Sequence, residues 1–491
     1  MKRVPSIISP ILAVTRKAPK SLYRQVYDAY RKAILEGNLR AGQRVPSSRV
    51  QAAELGVSRI PVLNAYAQLL AEGYFESRVG SGTVVSRSLP ERSGAGHGRP
   101  ETPAMIAPAR RAASRRCAKL PAMDPIFTRR SVGPFLASQI AAEYFPLRTW
   151  NRLVTRHARR ADAGRLDYGD PMGLRELREA IAAHLRTARG VRCEPGQILM
   201  VTGSQQGLAI TARVLLDAGN RVWMEEPGYM YARRVFEFSG CKIVPVSVDG
   251  EGLNVGMGVK RCRKARAALV TPSHQYPLGV TMSASRRLQL LDWAESNGSW
   301  IIEDDYDSEY RYESMPVTSL QGLDRNSRVV YIGTFSKVLF PSLRLGYVVA
   351  PEDLVERFLA VRFAMDIGPA TFPQAVLADF LREGHFSRHI RRMRAVYAER
   401  RGLLIQCLQG ELGSRVEIGG AEAGMHFCMM VKGISDREVA ERAATRGIAL
   451  VPLSRLYFGK AKRQGFIVGF GSTSTEQIPG AVRKLREAIV G

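Results

Sequence analysis

Cysteine is scarce in this 491-residue chain: six residues, at 117, 193, 241, 262, 407 and 428, with no CxxC pair and no histidine at metal-ligand spacing. A disulfide framework or a zinc site is thereby excluded, no metal is expected, and reduced thiols are the remaining reading. Long hydrophobic runs are missing too, since no stretch approaches the roughly 18–20 apolar residues of a membrane-spanning helix. The basic opening MKRVPSIISPILAV is interrupted by Pro5, Ser6, Ser9 and Pro10 and lacks the apolar core of a signal peptide. A cytoplasmic protein without a membrane partner is expected. Acidic residues are few as well: 45 against 72 basic ones, for a net charge of +27. Residues 1–125 hold 21 basic and 8 acidic side chains, so a quarter of the chain carries about half of the excess. Such asymmetry suits a polyanionic partner for the N-terminal part, a basic solubilising surface being the plainer alternative. The 45% hydrophobic and 24% charged composition excludes a disordered or collagen-like chain and supports a large core in several domains.

Texture divides the chain into a short N-terminal extension (1–20), a helical region (21–86), a linker (87–125) and a large remainder (126–491). In the second region, Leu22, Val26, Ala29, Tyr30, Ala33 and Ile34 fall on one face of a first helix. Gly37 and Gly42 break it. A second helix is expected over Ser48 to Leu55, and Ser58 is placed to cap a third with Val62, Tyr66, Leu69 and Leu70 on its inner side. Pro61 falls in the first turn, where a missing N–H costs little. The runs YFESR and GTVVS, joined through Gly80, Ser81 and Gly82, complete a glycine-tipped hairpin. Three helices and a hairpin describe a winged helix-turn-helix, whose third helix is the candidate for the major groove. Arg49 and Arg59 flank the turn, placed for phosphates or guanine edges of double-stranded DNA. Small units of this kind also serve in dimerisation or docking. Residues 87–125, rich in Pro, Gly, Ala, Ser and Arg without periodic hydrophobes, read as a flexible basic linker.

Beyond Pro134, the apolar segments QILMV (197–201), RVWME (221–225), KIVPV (242–246), ALVT (268–271), WIIED (300–304) and VVYIG (329–333) alternate with amphipathic helical stretches. That alternation predicts an α/β fold with a mainly parallel sheet covered on both faces. Ligands of such folds bind at the carboxyl ends of strands. After QILMV comes Thr202-Gly203-Ser204-Gln205-Gln206-Gly207, a small-residue turn that opens a helix and suits a phosphate. WIIED runs into Asp304, Asp305, Tyr306 and Asp307, and VVYIG is followed by Thr334, Phe335, Ser336 and Lys337, then Arg344. Singly, each has a bland reading: a steric glycine turn, a solvated acidic edge, a surface lysine. Together they fit pyridoxal 5'-phosphate (PLP) chemistry. That cofactor needs a reactive lysine amine, a carboxylate for its ring nitrogen, donors for its phosphate and an aromatic ring beside it.

The phrases ILEGNLRAGQRVPSSR, AAELGVSRIPVLNAYAQLLAEGYFE and VGSGTVV resemble the DNA-binding domain of GntR-type bacterial regulators. EEPGY, TPSHQYPLGV, IIEDDYDSEYRY and YIGTFSKVLFPSLRLGY resemble the fold-type I aminotransferase domain of the MocR-type subgroup. The resemblance covers nearly the whole chain, the linker excepted, and implies a smaller C-terminal α+β subdomain from about residue 385. It implies a PLP-dependent transcription regulator that senses PLP, an amine or an amino acid and controls genes of vitamin B6, amine or amino-acid metabolism.

By the same resemblance Lys337 forms the Schiff base, Asp304 pairs with the pyridine nitrogen and Tyr306 bonds the phenolic oxygen. Tyr229 stacks on the ring, while Gly203, Ser204, Gln205, Thr334, Ser336 and Arg344 hold the phosphate. Tyr168 crosses to the neighbour's site in a homodimer. Arg49, Ser58, Arg59 and the wing at Gly80, Ser81 and Gly82 are the implied DNA contacts. Four positions depart from the pattern. Pro61 stands where relatives carry a polar residue. Tyr276 precedes Pro277 where aminotransferases usually carry asparagine. Ile467 or Val468 occupies the place of the arginine that grips a substrate carboxylate. Tyr231 replaces the arginine of GABA-sensing relatives. Turnover of ordinary α-amino acids is therefore not expected, and an active aminotransferase with a docking N-terminal domain is the alternative.

Overall fold

The computed structural model describes residues 14–16, 18–78, 82–88, 114–118, 120, 133–137, 139–159, 167–312 and 317–491. It divides into two compact units, 1–112 and 113–491. Most of 1–20 and 87–125 lies outside the described residues.

In the first unit, α1 (Leu22–Leu35) buries Val26, Tyr27, Tyr30 and Ala33. The short α2 (Ser48–Glu54) starts where Ser47 accepts from the Val50 N–H, and α3 (Arg59–Ala71) buries Val62, Ala65, Tyr66 and Leu69. Strands β1 (Phe75–Arg78) and β2 (Gly82–Val85) pair antiparallel from Phe75↔Val85 to Arg78↔Gly82. Tyr30, Tyr66 and Phe75 meet edge to face with centroids 5.2–5.4 Å apart, joining helices and hairpin in one core. The Tyr66 hydroxyl is satisfied by Tyr30 at 2.9 Å and the Pro46 carbonyl at 3.0 Å. Two expectations need correction. Ser58 stands at the N-cap of α3 but makes no capping bond with its side chain. Leu70, expected on the inner face, is 36% exposed, because it lies about 100° around the helix from Leu69.

The second unit is built on an eight-stranded sheet. Its strands are β3 (Ile198–Val201), β4 (Arg221–Glu226), β5 (Lys242–Asp249), β6 (Gly252–Leu253), β7 (Ala267–Val270), β8 (Trp300–Asp305), β9 (Val329–Thr334) and β10 (Gly346–Val349). They lie in the order β3-β10-β9-β8-β7-β4-β5-β6. Pairs from β9 through β8, β7 and β4 to β5 are parallel, as expected. Strand β10 was not anticipated: it enters antiparallel between β3 and β9. Its sequence, GYVV, follows the lysine loop by only a few residues and gave no separate strand signal. The central strands are buried along their whole length, which is why they read as continuous apolar runs.

A second, antiparallel sheet orders β11 (Val416–Gly419), β12 (His426–Val431), β14 (Gly465–Gly469) and β13 (Val451–Pro452) as β11-β12-β14-β13. The helices His385–Leu412, Asp436–Thr445 and Ile478–Val490 accompany it. Buried Asp436 ties β14 to the segment after β13, accepting from the Ser454 N–H (2.8 Å), the Ser454 hydroxyl (2.6 Å) and the Gly465 N–H (3.3 Å).

Candidate functional site

Strand polarity brings the carboxyl ends of β3, β8 and β9 to one edge of the large sheet, and the three sequence motifs with them. At the end of β3, Gly203 adopts φ +92° and stands as N-cap of the helix Ser204–Leu215. A Cβ there would come within 3.3–3.4 Å of the Arg344 guanidinium, so glycine lets that cation approach the helix start. Arg344, itself at φ +51°, donates to the Thr202 carbonyl at 2.7 Å. On the lysine loop the Ser336 N–H donates to Thr334 Oγ1 at 3.2 Å, while Ser336 Oγ is buried with no partner.

The acidic run at the end of β8 separates into different jobs. Glu303 accepts the Leu320 and Gln321 N–H groups, both at 2.9 Å. Asp305 is paired with buried Arg189, whose Nε donates at 3.0 Å, and with the Tyr331 hydroxyl. Asp304 alone keeps a buried carboxylate oxygen, Oδ1, without a hydrogen-bond partner. Burial, then the charges of Asp305, Glu225 and Asp307, push its pKa up to about 7, against the pull of Lys337. Lys337 moves the other way: burial lowers it from the usual lysine range, with Asp307 and Asp304 opposing. A lowered amine is a more available nucleophile.

Tyr229 hydrogen-bonds Gln205 Nε2 at 3.0 Å and meets Tyr276 (5.8 Å) and Tyr231 (5.7 Å) edge on. Gln205 thus holds the aromatic ring as well as sitting in the phosphate turn. The Tyr306 hydroxyl donates to the His274 carbonyl at 2.9 Å. Tyr168 is 81% exposed and is not drawn into the site of its own chain. Sequence reasoning singled out Asp307 in the acidic run but missed the two buried histidines that meet it, His274 and His426. His274 Nδ1 lies 3.1 Å from both oxygens of Asp307, and His426 stands 4.7 Å from His274, centroid to centroid. Ligand atoms of these three lie within 4.8 Å of one another, and Nε2 of each histidine is buried without a partner. His274 lay inside the quoted TPSHQYPLGV, but nothing local pointed to His426, 152 positions further on.

The structure also separates the two candidates for the missing arginine. Ile467 packs with Leu278, Cys428 and Leu453, beside Tyr276 of the YPLG turn, whereas Val468 faces the main core. Both are fully buried. The orphaned Asp304 Oδ1, the orphaned Ser336 Oγ and the glycine cradle beside Arg344 together fit a phosphorylated pyridine aldehyde.

On the first unit, Arg49 is exposed on α2 and Arg59 exposed at the start of α3, where its Nε donates to Ser48 Oγ at 3.3 Å. Gly82 begins β2 at φ +77°, with the Arg44 guanidinium 3.3 Å from the site of an added Cβ. Gly80 and Ser81 lie outside the described residues.

The family model "Bacterial regulatory proteins, gntR family" matches residues 22–85, and "Aminotransferase class I and II" matches 144–485. The chain is 40% identical to the probable rhizopine catabolism regulatory protein MocR of Rhizobium meliloti, over 98% of this chain and 96% of that one. It is 32% identical to the pyridoxine biosynthesis transcriptional regulator PdxR of Corynebacterium glutamicum, over 97% and 98%. Among solved structures, a kynurenine aminotransferase of Pyrococcus horikoshii superposes with a TM-score of 0.71 at 26% identity, covering 77% of this chain and 96% of the other. LysN of Thermus thermophilus, an α-aminoadipate aminotransferase, gives 0.70 at 27%, covering 77% and 97%. A DNA-binding head joined to a fold-type I aminotransferase-like body is thus the class of protein defined here. The chain belongs to the MocR-type subgroup of the GntR transcription regulators. Among the described residues no helix is long and apolar enough to cross a membrane.

Proposed function

We propose that this regulator binds PLP in the body, answers to PLP or to an amine or amino-acid effector there, and passes the answer to DNA-bound heads. The observation that carries the reading is Asp304: a buried, unpartnered carboxylate oxygen across the site from a lysine whose pKa is lowered by burial. When bound, the cofactor supplies an aldehyde that condenses reversibly with primary amines. Lys337 is the amine this chain offers it. Asp304 holds a proton at the ring nitrogen, Tyr306 faces the phenolic oxygen and Tyr229 covers the ring. Gly203, Ser204, Gln205, Thr334, Ser336 and Arg344 receive the phosphate.

The apolar wall around Ile467 favours an amine whose reactive carbon bears no carboxylate, because a carboxylate buried against isoleucine and leucine lacks a bidentate partner. The same wall argues against the alternative of a working aminotransferase for common α-amino acids. We further propose a homodimer, with exposed Tyr168 reaching the partner's phosphate site, and a tether over 87–125 that lets two heads engage paired half-sites. Target genes in vitamin B6, amine or amino-acid metabolism are proposed by analogy with relatives that regulate pyridoxine biosynthesis and rhizopine catabolism.

The test has two parts. Borohydride reduction followed by peptide mass mapping is expected to find a pyridoxyl adduct on Lys337. Binding of the full chain to its own upstream DNA, at stated salt, is expected to change on adding PLP or an effective amine, and to stay flat in Lys337→Ala. Identical DNA affinity under all conditions sinks the switch, and an unmodified Lys337 sinks the cofactor reading.

A further inference from the structure

Helix α3 carries apolar side chains on its outer side as well as its inner one. Its inner stripe, Val62, Ala65, Tyr66 and Leu69, fills the head's core. Its outer side carries Ile60, 67% exposed, Leu63, 42% exposed, and then Ala67 and Leu70. A surface helix ordinarily turns a polar face outward. Here the first two turns present Ile60, Pro61 and Leu63, which have no side-chain donor or acceptor, with exposed Asn64 beside them as the one amide. Cations frame this strip: Arg59 at the start of α3, Arg49 at the start of α2, and Arg44 beside the hairpin. A groove of about 530 Å³ runs alongside, lined by Arg44, Ser48, Val50, Leu63 and Gly82 among others.

An apolar strip with positive charges on its flanks complements one surface closely: a major groove, with phosphates on both sides and thymine methyl groups on its floor. Within that groove the C5-methyl of thymine is the only apolar feature, while guanine and adenine are read by bidentate donors that Ile60, Pro61 and Leu63 do not possess. Resting on the reading of the head as a DNA-binding domain, we propose that Ile60 and Leu63 recognise thymine methyl groups, with Arg49 and Arg59 fixing register on the phosphates. The operator half-site then carries thymine opposite these two side chains.

The experiment uses the full-length protein and duplexes enriched from a randomised pool. Each thymine of the best duplex is replaced in turn by uracil, which removes only the methyl group. One or two replacements per half-site are expected to weaken binding about fourfold each, the worth of one buried methyl. In Ile60→Ala and Leu63→Ala the parent and uracil duplexes are expected to bind equally at the matching position. In Arg59→Ala all duplexes weaken together with a shallower salt dependence. Binding that ignores every thymine-to-uracil change overturns this inference and leaves the DNA-binding reading standing. Failure to bind any duplex at low salt overturns both. If Ile60→Ala and Leu63→Ala lower the molecular mass by light scattering while uracil sensitivity is absent, the strip is a protein contact and the inference falls.

Discussion

Among the acids at the end of β8, single hydrogen bonds decide the roles. The side chains of Asp305 and Arg189 are both about 2% exposed and neutralise each other. Arg189→Met leaves that carboxylate buried and unpaired and is expected to cost about 3–5 kcal/mol in chemical denaturation. Asp304 has no such partner, and its folded pKa of about 7 lies above the usual aspartate value. Above pH 4 the unfolded chain ionises this group while the native state still holds the proton. The stability from that proton is therefore complete below about pH 4 and lost as pH rises to about 7. Glu225, pushed up to about 7 mainly by burial, adds to the same slope. Cofactor-free protein should thus lose thermal stability relative to Asp304→Asn between about pH 4 and 7. Asp304→Asn should flatten the slope, and PLP should raise the melting temperature more at pH 8 than at pH 5. Differential scanning at several pH values, with and without PLP, checks all three. Gly203→Ala adds a methyl against Arg344 at a positive φ, and PLP retention on dialysis should fall in that variant.

At the scale of elements, the head depends on one aromatic knot. Phe75→Ala removes the ring that β1 packs against both Tyr30 and Tyr66, a change worth about 3–5 kcal/mol in a small domain. DNA binding should be lost while the PLP absorption band of the body persists, because the two units have separate cores. The helices and hairpin of the head were legible because periodicity and glycine turns are local. Strand β10 was not: four residues after a functional loop carry no period, and their antiparallel entry between β3 and β9 is a matter of sheet order. In the second sheet, β14 alternates its side chains, so neighbouring Ile467 and Val468 face different cores.

Across the whole molecule, the proposed shared site links quaternary structure to cofactor retention. Tyr168→Phe should release PLP more readily, and equally in both protomers, without altering the mass measured by light scattering. The sequence by itself determined the two-module plan, the alternating strands and helices, and the motifs that end in Gly203, Asp304 and Lys337. Those are signals written within a few residues of one another. Tertiary structure alone decided that Asp304 and not Asp305 is left without a partner, because Arg189 arrives from 116 positions away. It alone placed His426 beside His274 and Ile467 beside Tyr276, and left Ile60 and Leu63 uncovered. Which polar group is satisfied and which apolar group is covered depends on the order in which distant strands and helices come together, and no local pattern encodes that order.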